Sequence, residues 1–244
     1  MEALFAFAAA VITLRLAGLL LARRRATGRP ELLAWGAAVL CFSVASGALA
    51  WGAAWGWNAA AFRVYYLFGG MLTAALLGVG SLLLVGRRWA APVGLAYAGL
   101  ATGLVLAVPL TAAVGGQAIP GAGEHLEFVP VRLAAMLGNV LGTVAVVAVA
   151  AATLRRRPLG NALIVAGVAV AALGSWLFGI GVVGTAASLL LAAVLLYAGF
   201  VARPRVRGAG MGALRPAPHG EPESADHDDR QDFEDEPAGT AVRE

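Results

Sequence analysis

The chain has 244 residues, of which 60% are hydrophobic and 13% are charged, whereas a typical globular domain is about 45–50% apolar and about 25% charged. This composition excludes a secreted disulfide scaffold, a coiled coil and a basic nucleic-acid-binding module. Charge is also divided unevenly, since residues 1–210 contain 15 Arg and 4 acidic residues and residues 211–244 contain 3 Arg and 10 acidic residues. The sequence therefore predicts a multi-pass membrane protein with the lipid bilayer as its partner and no nucleic-acid partner.

Seven apolar runs are long enough to cross a hydrocarbon core, which takes about 20 residues of helix. Their predicted bounds are Ala3–Ala22, Leu32–Trp51, Val64–Val85, Val93–Leu110, Leu133–Leu154, Ala162–Ile180 and Val182–Val201. Only the small residues Gly179–Gly184 separate the last two runs, and without a turn there the number of spans falls to six. The predicted fold is an all-α bundle of seven transmembrane helices over residues 1–205.

The arginines indicate the orientation of these spans, because cytoplasmic loops are enriched in positive charge. With the amino terminus outside, the inner connections carry 12 Arg and the outer ones carry only Arg63 and Arg132. This alternation predicts an outside amino terminus, an inside carboxyl terminus and the cytoplasmic (inner) membrane of a bacterium as the location. Residues 206–244 are acidic, rich in Pro and poor in apolar residues, which predicts a disordered cytoplasmic tail. This tail either contacts basic inner loops or a partner protein, or is simply solvated.

Side chains that the sequence lacks exclude several membrane chemistries. The chain contains no Lys, so it has no amine for a retinal Schiff base. None of the three histidines falls within a predicted span, which argues against a transmembrane haem or an intramembrane protease. No Asp or Glu lies within a span, and proline leaves the span interiors unbroken, which argues against ion-coupled transport through broken helices. We therefore expect no catalytic residues, no cofactor and no metal.

Polar and small residues within the spans have structural explanations. Arg15, a charge at membrane depth, either extends to the inner interface, pairs with Glu31, or contacts an anion or substrate. Asn139 is expected to hydrogen-bond a neighbouring helix more than a ligand, and Cys41 to pack as a small apolar side chain. Glycines at four-residue spacing let helices approach closely. These pairs are Gly52/Gly56, Gly99/Gly103 and Gly138/Gly142.

The outer ends of the spans hold the candidate ligand-binding residues. These are Arg63, Tyr65, Tyr66, Glu124, His125, Glu127 and Arg132, near the aromatic residues Trp51, Trp55 and Trp57. An aromatic wall with paired Arg and Glu suits a small polar or zwitterionic molecule. The alternative is an interfacial aromatic belt with loop ion pairs. Glu124, His125 and Glu127 offer three metal ligands in four residues, but no further ligands lie nearby, so a metal site is not expected.

The segment Leu32–Arg88 resembles a known family. It resembles helices two and three of seven-helix sensor modules. The resemblance lies in the run LLAWGAAVLCFSVASGALAW, a Trp-rich turn and the run FRVYYLFGGMLTAALLGVGSLLL, which contains Arg63, Tyr65, Tyr66 and Gly69. Such modules precede the signalling domains of some bacterial histidine kinases and diguanylate cyclases. The resemblance implies a receptor-like role without catalysis. No signalling domain follows in this sequence, so such a sensor would act through a cytoplasmic or membrane partner protein.

Two alternatives remain open. Spans one to three and five to seven run in the same direction, and both begin their second helix with an Arg-Pro pair, Arg29-Pro30 and Arg157-Pro158. This three-plus-one-plus-three arrangement resembles that of facilitators of small solutes. The other alternative is a structural or accessory subunit of a membrane complex.

Overall fold

The computed structural model describes residues 1–111, 113–121, 125–126, 128–155, 158–176 and 181–202. Within these ranges the chain is helical and contains no β-strand. The helices are α1 (Glu2–Thr27), α2 (Pro30–Trp55), α3 (Ala59–Tyr65), a π-helical segment (Tyr66–Leu72), α4 (Thr73–Leu84), α5 (Ala90–Ala107), α6 (Val129–Thr153), α7 (Pro158–Trp176) and α8 (Gly181–Val201). The acidic tail predicted at residues 206–244, and with it the domain boundary, lies outside the described residues.

Each apolar run that the sequence predicts as a span contains a helix over most of its described residues. Among the described residues, six helices are long and apolar enough to cross a membrane. These are Glu2–Thr27, Pro30–Trp55, Ala59–Leu84, Ala90–Ala107, Val129–Thr153 and Val183–Val201. A further apolar helix, at Pro158–Gly174, is shorter over the described residues. The all-helical, multi-pass character of the predicted fold is confirmed.

Helix ends differ from the predicted span ends where charges occur. α1 continues through its arginines to Gly28, whose φ of 71° forms a left-handed carboxyl-terminal cap. The third span begins at Ala59, five residues before its predicted start at Val64, because the Asn58 side chain caps it by accepting from the Ala61 amide at 2.9 Å. α5 ends at Ala107 because Pro109 forces Val108 into an extended conformation.

The last two helices run antiparallel to each other. A Cβ atom at Gly174 would meet Ser188 Cβ at 2.7 Å, one at Gly167 would meet Leu196 Cγ at 3.0 Å, and one at Gly199 would meet the Gly160 carbonyl at 2.9 Å. Rising numbers on α7 therefore pair with falling numbers on α8. The sixth and seventh predicted runs are thus two helices that pack on each other, and not one.

One glycine pair brings the backbones of α4 and α6 into contact. A Cβ atom added to Gly78 on α4 would lie 2.6 Å from Gly142 Cα on α6, and one on Gly142 would clash with the Ala74 carbonyl group. A Cβ on Gly138 would overlap the Tyr97 ring of α5. The prediction for Gly138/Gly142 is therefore confirmed. At Gly99 and Gly103 nothing lies within 4 Å, so that pair does not mediate close packing.

The remaining pair, Gly52 and Gly56, serves a turn. Gly56 ends α2 with a φ of 88°, and the Trp57 amide that follows donates to the Gly116 carbonyl at 2.8 Å. The Trp57 ring packs directly on Gly52, where a Cβ atom would lie 2.5 Å from it. This pair therefore fixes the turn between the second and third spans and does not join two helices.

The third span is π-helical in its middle. The sequence predicts an unbroken helix there because the span contains no internal proline. Residues Tyr66–Leu72 form the π-helical segment between α3 and α4. Both the backbone amide and the hydroxyl of Thr73 bond the Phe68 carbonyl five residues earlier, the hydroxyl at 2.7 Å. π-Helical turns of this kind are frequent at functional sites.

Candidate functional site

The bundle contains a cavity of about 840 Å³. Its walls come from α2, the whole third span, α6, α7 and α8, and residues Ala118–Gly121 of the loop after α5 lie at one end. α6 packs closely on α4 and more loosely on α7, which leaves room for this space. The volume lies within the range of about 300–1,000 Å³ that is typical of small-molecule sites.

Polar side chains are few in this cavity and they are neutral. Those that line it are Ser46, Tyr65, Tyr66, Thr73, Asn139, Thr143 and Thr185. The rest of the described lining consists of aliphatic, aromatic, small and Met residues, with no carboxylate, guanidinium, imidazole or thiol. Such a wall offers hydrogen bonds but no ligand suited to a transition metal.

Asn139 links the cavity wall to the π-helical segment. Its Nδ2 donates to the Gly70 carbonyl at 2.5 Å and to the Ala135 carbonyl of its own helix at 3.0 Å. The predicted hydrogen bond to a neighbouring helix is thus confirmed. Because both donors are used, the Oδ1 atom of Asn139 is left as an acceptor, and no described residue donates to it.

Ser46 lies in the same wall and is 1% exposed. Its hydroxyl is buried and has no hydrogen-bond partner among the described residues. Leaving a buried hydroxyl unpaired typically costs about 1–3 kcal/mol. Nothing in the sequence distinguished Ser46 from Ser43, whose hydroxyl donates to the Ala10 carbonyl of α1 at 2.8 Å.

The predicted site residues that the structure describes do not all line the cavity. Tyr65 and Tyr66 line the cavity, whereas Arg63, His125 and Arg132 are not part of its lining. Tyr65 packs edge-on against Trp57, with ring centroids 5.4 Å apart, and Tyr66 stacks on Phe62 at 6.1 Å. Glu124 and Glu127 lie outside the described residues. Among the residues described, no three His, Cys, Asp or Glu side chains lie together.

Arg63 has a structural partner that the sequence did not reveal. Its guanidinium donates to the carbonyl groups of Val105, of Leu106 at 3.4 Å and of Val108 at 2.9 Å. These groups belong to the last turn and cap of α5, where carbonyls lack partners within the helix and the helix dipole favours a positive charge. Arg63 therefore joins the third span to the end of the fourth.

His125 and Arg132 occupy different surroundings. The His125 ring is buried, with its centroid 5.5 Å from that of Phe62, and its backbone carbonyl accepts from the Thr111 amide at 3.1 Å. Arg132 is exposed, and its charge acts on the Tyr66 hydroxyl. Among the predicted site residues that the structure describes, Tyr65 and Tyr66 therefore line the cavity, and Arg132 affects Tyr66 electrostatically from outside it.

Arg15 lies on the exposed side of α1. The carboxylate proposed as its partner, Glu31, instead pairs with Arg29, whose Nη2 and Nε lie 2.5 Å and 2.6 Å from Glu31 Oε1. The predicted alternative that Arg15 pairs with Glu31 is therefore wrong, because Glu31 pairs with Arg29 at the start of α2. An outward-facing Arg15 matches the geometry that snorkelling requires.

The aromatic residues near the loop end divide into two groups. Trp51 and Trp55 are exposed and their rings lie 4.8 Å apart. Trp57 is buried and contacts Tyr65. Cys41 is also buried, in the cluster that includes Met71 and Val105, as its prediction as an apolar packing residue required. The exposed pair therefore occupies the kind of position that an interfacial belt uses.

Comparison with known proteins finds no match: no protein-family model, no curated protein and no solved structure is similar to this chain.

Proposed function

We propose that the chain is a receptor-like membrane protein that binds a small molecule inside its helix bundle and has no catalytic activity. The observation that carries this proposal is the 840 Å³ cavity, whose wall combines apolar side chains with a few neutral polar ones, among them Tyr66 and the Asn139 Oδ1 acceptor. An apolar pocket with a few convergent polar groups is the usual form of a ligand site. The ligand site that we propose therefore lies inside the bundle and not at the outer ends of the spans, where the sequence predicts it.

The π-helical segment supports a receptor role over a purely structural one. Tyr66, Gly69 and Gly70 of this segment line the cavity, and Thr73 follows it. A bound molecule would therefore touch the one stretch of the third span that departs from α-helical winding. Signal output requires two states with different affinity for the ligand, and a π-helical segment is a natural place for such a change. Output would then pass to a partner protein.

Solvent extraction tests the binding role by recovering whatever compound the purified protein retains. Wild-type protein is purified beside Val140→Trp, which places a large ring in the cavity, and Leu141→Trp, which places it outside the cavity lining. We expect a compound that mass spectrometry detects on the wild type and on Leu141→Trp but not on Val140→Trp. Equal small-molecule content in all three proteins would contradict the proposal.

Flux and partner measurements separate the other two roles. A facilitator reconstituted in liposomes would equilibrate the retained compound across the bilayer, whereas a receptor would bind it without flux. An accessory subunit would copurify in fixed ratio with a larger complex. That ratio would not change in the Val140→Trp variant. Flux that Val140→Trp abolishes would favour the facilitator.

We also propose that the seven apolar helices all cross the bacterial inner membrane, with the amino terminus outside and the acidic tail inside. The distribution of arginines and the antiparallel pairing of α7 with α8 support this orientation. Single cysteines at Glu2 and Ser224, in a Cys41→Ala background, would be labelled with a membrane-impermeant maleimide on intact cells. We expect labelling at position 2 only. Equal labelling of both positions would mean an even number of crossings.

A further inference from the structure

We infer that the ligand is an electrically neutral, elongated amphiphile, with a hydroxyl or carbonyl head and a hydrocarbon body, that enters from the bilayer. This inference rests on the proposed function and adds the chemical class of the ligand and its route. Four features of the described cavity support it: the charge of its wall, its length, the distribution of its polar groups and the position of its opening.

The wall of the cavity selects against charge. No ionised side chain is present in its described lining. A carboxylate or ammonium group brought into such a space loses its hydration without gaining a counter-charge, which strongly disfavours its binding. Arg132 acts electrostatically on a lining residue, Tyr66, but it is exposed and outside the lining. A neutral head that forms one or two hydrogen bonds meets no such penalty.

The shape of the cavity suits a chain. On α8 the lining extends from Thr185 to Leu196, which corresponds to about 16 Å of helix at 1.5 Å per residue. On α6 it extends from Met136 to Val144, or about 12 Å. The space is therefore longer than a compact polar metabolite needs, and it is oriented along the helices.

Polar groups are concentrated toward one end of this length. Tyr65 and Tyr66 lie in the first turns of the third span, next to the loop end, and Asn139 and Ser46 follow at middle depth. The Tyr66 hydroxyl and Asn139 Oδ1 have no hydrogen-bond partner among the described residues. The far end is lined mainly by apolar side chains, namely Leu77, Val144, Val168 and Leu196, with Thr143 beside Val144. A hydroxyl or carbonyl head thus fits near Tyr66 and Asn139 with its hydrocarbon body beyond them.

The cavity opens along the side of the bundle. Met136, Val140 and Val144 line it and yet are 56%, 53% and 59% exposed. These residues lie in the middle of α6, a helix long and apolar enough to span the membrane. An opening at that depth faces hydrocarbon, so a molecule dissolved in the bilayer reaches the cavity without crossing water.

Photolabelling of the full-length protein in lipid nanodiscs tests this class directly. The probes are dodecanol carrying a diazirine on its chain and the matched diazirine-bearing dodecanesulfonate, which is permanently charged. We expect dodecanol to label peptides of α6 and α8 in a manner that excess unlabelled dodecanol suppresses. Labelling by the sulfonate should be at least fivefold weaker. The wild type is compared with Val140→Trp and with the control Leu141→Trp.

The outcomes separate this inference from the proposed function. Loss of dodecanol labelling in Val140→Trp, with labelling retained in Leu141→Trp, supports it, and Val144→Trp replaces the first variant if that protein is not monodisperse. Equal or stronger labelling by the sulfonate overturns the neutral class. Absence of competable labelling by either probe overturns the class and the route. In both of those cases a compound retained by the wild type but not by Val140→Trp in solvent extracts would leave the proposed function standing.

Discussion

The two sides of α6 are packed in opposite ways. On the side toward α4 and α5, Gly138 and Gly142 allow backbone and ring contacts that a single Cβ atom would disrupt. On the side toward α7, Met136, Val140 and Val144 are more than half exposed and line a cavity. Small residues thus give a rigid seam, whereas medium-sized apolar residues without close neighbours leave space for a ligand. One helix supplies both the stability of the bundle and its candidate site.

A substitution in the seam, which is the close contact of Gly138 and Gly142 with the neighbouring helices, should have the largest effect. Gly142→Leu would drive a side chain into the Ala74 carbonyl group and the adjacent backbone. Overpacking of this kind costs about 1–3 kcal/mol and occasionally more, and here the clashing atoms are backbone. We expect loss of about 3 kcal/mol or more of unfolding free energy, with little monodisperse protein on size-exclusion chromatography.

Gly103→Leu is the matched control, because nothing lies within 4 Å of a Cβ atom at Gly103 on α5. This variant should elute as the wild type does. Comparable damage from both substitutions would show that the effect arises from glycine replacement in general, and the account of the seam would be wrong.

Arg63→Ala comes next in expected effect. It removes hydrogen bonds from a charged group to the carbonyls of Val105, Leu106 and Val108, and hydrogen bonds of this type contribute about 1.5–3 kcal/mol. We expect a loss of about 2 kcal/mol in chemical unfolding without any added ligand, together with faster amide exchange at Val108. Arg132→Ala, at an exposed position, should change stability by less than about 0.5 kcal/mol. The reverse order would return Arg63 to a ligand-contacting role.

Asn139→Leu should have a smaller effect. The substitution removes the bond from Nδ2 to the Gly70 carbonyl, and such interhelical bonds in membranes contribute about 0.6 kcal/mol on average and about 1.7 kcal/mol at most. We expect about 1 kcal/mol of destabilisation and faster amide exchange within Tyr66–Leu72. Ser43→Ala, which loses the interhelical bond to the Ala10 carbonyl at 2.8 Å, is a useful comparison because that bond does not involve the π-helical segment. Equal exchange in the π-helical segment of both variants would mean that Asn139 does not hold that segment.

The open side of α6 should tolerate change best. Val140→Trp adds volume where the structure has space, so we expect unfolding free energy within about 0.5 kcal/mol of the wild type. The same measurement on Leu141→Trp gives the baseline for a ring outside the cavity. A loss of several kcal/mol at Val140 alone would mean that this side is packed as tightly as the seam.

The helices could be predicted from sequence because apolar runs and their flanking arginines determine where such segments lie. The predicted ends of the helices were wrong where an arginine was taken as the boundary of a span. Arg63 lies inside the third span because the end of α5 satisfies it, and Arg23–Arg25 continue α1 beyond the apolar run. Hydropathy reports where a chain can be buried, and it does not report which carbonyls a guanidinium meets.

The site was harder to predict than the fold. The sequence predicts Tyr65 and Tyr66 as candidate ligand-binding residues, and both line the cavity, but it gives no signal for Ser46, Thr143 or the apolar wall. Whether a helix face is packed or open depends on how far neighbouring helices approach, and in this chain that distance follows from glycine positions on several helices. The π-helical segment contains no proline that could have indicated it. Its distinctive residues are the Gly69-Gly70 pair and the adjacent Thr73.

The central claim, that α6 presents an open face to a ligand-holding cavity, is tested most directly by an experimental structure of the purified chain in lipid nanodiscs. The account predicts non-protein density between α6 and α7 that contacts Tyr66, Asn139 and Val140. Helix α7 packed against Val140 and Val144 along its whole length, with no space between them, would contradict it.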